Sequence, residues 1–193
     1  MSAPPVNPHR ALAIAMAVTL FGLGGLGLAL MTIFIPDALP RLMPASTGEC
    51  VKSLGIGTLF ASFSLIPLLL LLQTPYLRGT RAFFAGLMTD YRVQTWHIWV
   101  LSFCAGVGEE LLFRGFVQQY LGIGITAILF VFLHGYLNPL NRPLFIYGIF
   151  LSGVSFGFGW ICQQYSLPAA MIAHFWIDVA LLYYLRKHQA HVA

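Results

Sequence analysis

The stretch Gly108-Glu109-Glu110-Leu111-Leu112-Phe113-Arg114-Gly115 places three charged side chains inside an apolar segment that runs from about residue 97 to residue 119. An apolar run of roughly 20 residues can cross the hydrocarbon core of a bilayer as a helix. A charged side chain at that depth costs about 3 kcal/mol or more, so it is seldom kept without a use. The stretch therefore predicts a transmembrane helix that carries a polar site.

The composition of the whole chain agrees with a membrane location. Of the 193 residues, 59% are apolar and only 8% are charged, whereas a soluble domain carries charge on about a quarter of its positions. The net charge of +4 is not gathered into a basic patch with interleaved aromatic residues, so we expect no nucleic-acid partner. Cys50, Cys104 and Cys162 are odd in number and widely spaced, and we interpret them as small apolar fillers.

Six apolar segments have about the length that a membrane span needs. They cover approximately residues 11–35, 54–73, 97–119, 123–137, 144–163 and 167–185. The first is too long for the apolar part of a signal peptide and is expected to remain as an anchor. These segments predict an all-α fold, a polytopic membrane helical bundle with about six transmembrane helices.

The loops between these spans predict the topology. Six crossings put both termini on one side, where seven basic residues lie: Arg10, Arg78, Arg81, Arg92, Arg142, Arg186 and Lys187. Only Arg41 and Lys52 lie opposite, so the positive-inside rule places both termini in the cytoplasm. We expect residues 36–53 to form an external loop and residues 74–96 to include an interfacial amphipathic helix.

The same pattern divides the chain into three regions. Residues 1–96 hold the first two spans and the interfacial segment, residues 97–185 hold a core of four helices with the polar motifs, and residues 186–193 form a cytoplasmic tail.

Helical geometry predicts different surroundings for the two glutamates. At about 100° per residue, Arg114 lies roughly 40° around the helix from Glu110 but about 140° from Glu109. We therefore expect Glu110 and Arg114 to form a pair, which compensates a guanidinium that cannot lose its charge. Glu109 is then free to face a cavity about 18 Å along the span from His97, where burial and nearby positive charge could balance as a general base requires.

Two later spans add titratable groups. His134 ends the stretch Phe130-Val131-Phe132-Leu133-His134, and His174 shares a helix face with Asp178 four residues later. Asp178 either holds the His174 imidazole in one tautomer or points with it at the reacting centre. With Glu109, these groups could position a water molecule. Each set also has a purely structural interpretation, a satisfied core histidine or a buried ion network.

At these residues the sequence resembles the CPBP family of intramembrane proteases, also called the CAAX protease and bacteriocin-processing or ABI family. The family motifs EExxxR, FxxxH and HxxxN/D occur in order as Glu109-Glu110 with Arg114, Phe130 with His134, and His174 with Asp178. One predicted helix separates the second motif from the third, as in the family. The matched core runs from about residue 97 to 185, nearly half the chain.

The resemblance implies an endopeptidase that cuts a membrane-associated protein or peptide. It implies that Glu109 activates water, that His134 helps to hold this water, and that Glu110 and Arg114 organise the site. His174 and Asp178 would stabilise the oxyanion, a task that requires hydrogen-bond donors. Where many members have Asn, this chain has Asp178, which must be protonated, orient His174 or bind a cation.

Substrate and metal stay open at this point. The family is described both as metalloproteases and as glutamate proteases, and Glu109, His134, His174 and Asp178 could ligate zinc. No HExxH helix is present, so we favour chemistry that requires no cofactor, with zinc as the alternative. Six spans are fewer than the eight of the prenyl-protein proteases in the family, so a small processing or sorting protease fits the size better.

Two rival functions use the same residues. Gly153-Val154-Ser155-Phe156-Gly157 matches the GxSxG pattern of serine hydrolases, but it falls in an apolar helix instead of a strand-to-helix turn. A transporter or proton-relay protein could use the same buried carboxylates and histidines. It would need two alternating halves, and the sequence shows no internal repeat.

Overall fold

A computed structural model describes residues 7–188, which form helices and turns and no strand. The α-helices are α1 (Pro8–Ala17), α2 (Gly24–Phe34), α3 (Ala38–Leu42), α4 (Thr47–Gln73), α5 (Arg78–Asp90), α6 (Thr95–Glu110), α7 (Gln118–Leu133), α8 (Arg142–Gln164) and α9 (Leu167–Lys187). Two π-helical segments, Val18–Leu23 and Leu111–Val117, join α1 to α2 and α6 to α7. The predicted all-α, polytopic membrane bundle is confirmed.

Five helical runs are long and apolar enough to cross a membrane: Pro8–Phe34, Thr47–Gln73, Thr95–Leu133, Arg142–Gln164 and Leu167–Lys187. The count is five and not six because the predicted third and fourth spans join into one run. This run is broken at Gly122, whose φ of 71° and ψ of 173° lie outside the helical region. From Ile123 to Leu133 the helix is about 16 Å long, half the thickness of the hydrocarbon core. The segment predicted to span at 123–137 is therefore helical only to Leu133.

The segment expected as an external loop at 36–53 is shorter in the structure. It contains the short helix α3, and α4 begins at Thr47 because the Ser46 hydroxyl accepts a hydrogen bond from the Glu49 backbone N–H at 3.2 Å. Cys50 lies exposed on this helix, so its interpretation as an apolar filler is wrong. Cys104 and Cys162 are buried, as such fillers should be.

Glycines allow the first helical run to pack closely against the helix that carries Glu109 and Glu110. A Cβ atom at Gly27 would lie 2.7 Å from the Leu111 carbonyl oxygen, and one at Gly108 would collide with the Thr19 carbonyl. The approach at Gly24 is less tight but still close, since its Cβ would lie 3.1 Å from the Gly108 Cα atom. Small residues of this kind let membrane helices pack backbone to backbone. Gly25 has no neighbour within 4 Å and does not take part.

Helix α9 lies at the centre of the second half of the bundle, against α4, α6 and α8. Its contact with α4 is close, because a Cβ atom at Gly57 would collide with the Ala169 carbonyl. Its contact with α6 is also close, with Gly106 against the Met171 carbonyl. This central position carries His174 to the helix that bears Glu109 and Glu110.

Candidate active site

The helix that carries the two glutamates changes its winding directly after them. Residues Thr95–Glu110 are α-helical, and the π-helical segment Leu111–Val117 follows without a break. Single π-turns within α-helices occur frequently at functional sites. Arg114 lies in this segment and still reaches back to Glu110, since four residues of either helix type make about one turn.

Glu110 and Arg114 form the predicted pair and are both fully buried. Arg114 Nη1 donates to Glu110 Oε1 at 2.8 Å, and Arg114 Nη2 donates to the Ser155 hydroxyl at 2.7 Å and to the Ser155 carbonyl at 3.0 Å. The guanidinium also lies over the rings of Phe130 and Phe158, at 4.8 Å and 5.4 Å from their centroids. These contacts replace the water that a buried cation loses.

His174 joins the same carboxylate. Its Nδ1 atom lies 2.8 Å from Glu110 Oε1. Because Glu110 Oε1 already accepts from Arg114 Nη1, it is the acceptor here as well and Nδ1 donates. The other ring nitrogen, Nε2, then points away from Glu110, with Asp178 Oδ2 at 3.5 Å and Glu109 Oε2 at 3.9 Å. The Glu110 carboxylate therefore fixes the direction in which His174 presents Nε2.

Glu109 has different surroundings from its neighbour. Its Oε2 atom lies 3.7 Å from His134 Nε2 and 3.9 Å from His174 Nε2, and its side chain is 12% exposed. Both distances exceed a direct hydrogen bond, and a polar gap of this width suits one bridging water. The three side chains come from α6, from the end of α7 and from α9, and the fold brings them together.

His134 is the first residue after α7, where its Nδ1 atom donates to the Phe130 carbonyl at 2.7 Å. Because a carbonyl oxygen can only accept, this bond leaves Nε2 to face Glu109. The side chain is 35% exposed, more than that of any other member of the site. Phe130 packs against Phe113 and under Arg114, so its part in the FxxxH motif is packing.

These groups line a cavity of about 230 Å³. Glu109, His134, His174 and Asp178 form its polar end, and the rest of its wall is mainly aromatic and aliphatic. The lining continues to Leu185, about 16 Å along α9 from His174, and it includes Phe84 and Met88 of α5. The cavity thus extends from the carboxylate towards the end of the bundle where Pro8 and Lys187 lie.

The four candidate metal ligands lie in one place, at separations slightly longer than those of a formed metal centre. Within residues 7–188, no group of three or more His, Cys, Asp or Glu side chains is arranged to hold a metal ion. The nitrogen-to-oxygen distances of 3.5–3.9 Å around His174 and Glu109 are also longer than the edge of a zinc tetrahedron, about 3.3 Å for ligands at about 2.0 Å.

Sequence reasoning assigned Ser155 only to the serine-hydrolase alternative and missed its contact with Arg114. Ser155 is 2% exposed and lies within α8, where its hydroxyl accepts from Arg114. A nucleophilic serine needs a base within hydrogen-bond reach. The described hydrogen bonds of this hydroxyl connect it to the guanidinium and to no histidine. No feature of the sequence around Ser155 indicates this contact, which depends on how α8 packs against the helix of Arg114.

Fold and site together define a polytopic helical membrane protein with a carboxylate and two imidazoles around an internal cavity. Residues 91–180 match the family described as type II CAAX prenyl endopeptidase Rce1-like. This segment holds all three motifs, and the match confirms the resemblance drawn from them. The matched family is one of proteases, and the five apolar helical runs indicate an integral membrane protein. Comparison with curated proteins and with solved structures gave no match.

Proposed function

We propose that the protein is an intramembrane endopeptidase that hydrolyses a peptide bond in a membrane-associated protein or peptide, with Glu109 as the base that activates water. One observation carries the proposal: Glu109 Oε2 faces two imidazole Nε2 atoms at 3.7 Å and 3.9 Å across one end of an internal cavity. A carboxylate and two imidazoles at this spacing can hold a water molecule and accept its proton.

The proposed reaction begins with a water molecule between Glu109 and His134. Glu109 takes one proton from this water while the water oxygen forms a bond to the carbonyl carbon of the substrate. The carbonyl becomes an oxyanion, and His174 Nε2–H is placed to donate to it. The protonated Glu109 then gives its proton to the amide nitrogen, and the C–N bond breaks to leave a carboxylic acid and an amine.

Asp178 supports this reaction through His174. Of the three roles open for an aspartate at this position, orienting His174 has geometric support, because Asp178 Oδ2 lies 3.5 Å from His174 Nε2. A carboxylate there can accept from the Nε2–H that an oxyanion also requires. Glu110 holds the opposite side of the ring, so the two carboxylates together set its position.

For the substrate we propose a membrane-associated peptide segment with an apolar side chain or lipid near the scissile bond. The aromatic and aliphatic wall that leads away from Glu109 supports this class. A prenylated protein, a bacteriocin leader and a C-terminal sorting signal all fit it. If the end of the bundle where Pro8 and Lys187 lie is cytoplasmic, as their basic neighbours predict, the cavity extends towards the cytoplasmic leaflet and the substrate enters from there.

The decisive experiment is Glu109→Gln in the full chain reconstituted in lipid vesicles. Reporter peptides of the three substrate classes, each anchored in the membrane, are incubated with the protein and cleavage is quantified. Loss of a general base typically lowers the rate by about 100-fold to 10,000-fold. Glu49→Gln is the matched control, since Glu49 lies exposed near the start of α4 and outside the cavity. Cleavage that persists in Glu109→Gln would contradict the proposal.

The proposed reaction needs no metal ion, and this part has its own test. The purified active protein is submitted to elemental analysis, and cleavage is measured before and after treatment with a chelator. We expect no stoichiometric zinc and unchanged cleavage. Zinc at one ion per chain, with activity that is lost on removal and regained on addition, would overturn the metal-free mechanism.

A further inference from the structure

A second cavity, of about 670 Å³, lies at the end of the bundle where α4 and α9 end and α5 begins. Its wall consists of Gln73, Pro75, Arg78, Arg81, Ala82, Ala85 and His188. Helix α5 separates it from the proposed active site, because Phe84 and Met88 of the same helix line that other cavity. We name this second cavity the basic cleft.

The charged groups of the basic cleft are all of one sign. Arg78 and Arg81 project from the first turns of α5, and no acidic side chain is among the described residues of the wall. Arg81 Nη1 donates to the Leu72 carbonyl at 2.5 Å, which holds its guanidinium against the end of α4. The Arg78 backbone N–H donates to the Pro75 carbonyl, whereas its guanidinium makes no hydrogen bond or ion pair with another residue of the described range. His188 Nδ1 donates to the Tyr184 carbonyl at 2.8 Å, so its Nε2 atom remains available.

The depth of the basic cleft corresponds to the headgroup region of a bilayer. Its wall includes Gln73, the last residue of a membrane-spanning helix, and His188, which directly follows another. Tyr76 and Phe83 lie beside it and are 50% and 62% exposed, as aromatic residues at a membrane surface commonly are. The small apolar residues Ala82 and Ala85 leave room in the wall for the first carbons of a lipid.

We propose that the basic cleft binds the phosphate group of an anionic phospholipid. Guanidinium groups recognise phosphate oxygens by paired hydrogen bonds, and two of them next to an imidazole provide donors from several directions. Basic pockets between membrane helices at the interface are typical sites for acidic lipid headgroups. This assignment is independent of the proposed protease activity, because it concerns a different cavity and a different ligand.

The test measures lipid binding by the full chain in detergent micelles, with native mass spectrometry and thermal unfolding as readouts. Phosphatidylglycerol is titrated against phosphatidylcholine, which has the same tails and no net charge. We expect phosphatidylglycerol to bind more tightly and to raise the unfolding temperature. Each of Arg78→Gln and Arg81→Gln should weaken its binding about five-fold, as expected for one basic residue at an anionic surface.

Arg142→Gln is the matched control, because Arg142 is exposed at the start of α8 and outside the cleft, and it should bind phosphatidylglycerol like the unchanged protein. The Arg78 guanidinium has no described hydrogen bond within residues 7–188, so Arg78→Gln remains informative even if Arg81→Gln fails to fold. Equal binding of the two lipids, or unchanged binding by Arg78→Gln, would overturn the proposal. Inorganic phosphate that stabilises the protein as much as the lipid would assign the cleft to a free anion instead, and this would also overturn it.

Discussion

Glu109 and Glu110 are adjacent in the chain and chemically identical, yet their side chains have different surroundings. Glu110 is fully buried, and one of its oxygens accepts from both Arg114 and His174 at 2.8 Å. Glu109 is partly exposed to the cavity, and the described imidazole nitrogens nearest to its carboxylate lie at 3.7 Å and 3.9 Å. The difference arises because successive helical side chains point about 100° apart.

The surroundings of the two glutamates suit them to different tasks. A carboxylate that is held by an arginine and a histidine in a buried network keeps its charge and its place, which suits a fixed support. A carboxylate with no close donor and with room for water can exchange a proton. Each glutamate depends on the other, since Glu110 holds the His174 ring that faces Glu109.

The largest effect on stability should follow from Glu110→Gln. This change leaves the buried Arg114 without its counter-ion, a loss of about 3–5 kcal/mol in the free energy of unfolding. Unfolding by denaturing detergent in micelles measures it. Glu109→Gln should change the free energy of unfolding by well under 1 kcal/mol while it abolishes cleavage, because Glu109 has no partner at hydrogen-bond distance.

The two variants should therefore differ: Glu110→Gln loses stability, and Glu109→Gln loses activity. If Glu109→Gln unfolds as easily as Glu110→Gln, the two glutamates belong to one structural network and the separation is wrong. If Glu110→Gln is as stable as the unchanged protein, the pair with Arg114 contributes nothing measurable to the bundle.

Much of this arrangement could be predicted from the sequence. The EExxxR spacing sets Glu110 and Arg114 on one side of a helix whichever way the bundle folds, because a pair four residues apart depends only on local geometry. Hydropathy gives the spans for the same reason, since each must be apolar along its own length. The three motifs converge in the structure as the resemblance implied.

The contacts that depend on more than one helix could not be predicted. The bond between His174 and Glu110 and the bond between Arg114 and Ser155 join residues 64 and 41 positions apart, and nothing local to either position selects the partner. The break at Gly122 and the π-helical segment after Glu110 were also missed, because hydropathy patterns do not distinguish a broken helix from a continuous one.

Gly108 directly precedes the two glutamates and packs against the first helical run. Gly108→Ala should lower the free energy of unfolding by about 1–3 kcal/mol, since the new methyl group would collide with the Thr19 carbonyl and force two backbones apart. Gly25→Ala is the matched control, with no atom within 4 Å of the added Cβ, and should be neutral or slightly stabilising. Equal destabilisation by both would show that the close contact at Gly108 is not what sets the helix spacing.

The smallest expected effect is that of Ser155→Ala. It tests whether Ser155 supports the buried Glu110 network or acts as a nucleophile. Ser155→Ala removes one of two hydrogen bonds to Arg114 Nη2 and keeps the bond to the Ser155 carbonyl at 3.0 Å, so the free energy of unfolding should fall by only about 1 kcal/mol. Cleavage should remain within about ten-fold of the unchanged protein, because the described partner of the hydroxyl is the Arg114 guanidinium, which belongs to the Glu110 network. A serine nucleophile would instead lose essentially all activity with little change in stability. Measuring both quantities on the same preparation distinguishes the two, since a supporting residue shifts stability first and a nucleophile shifts the rate alone.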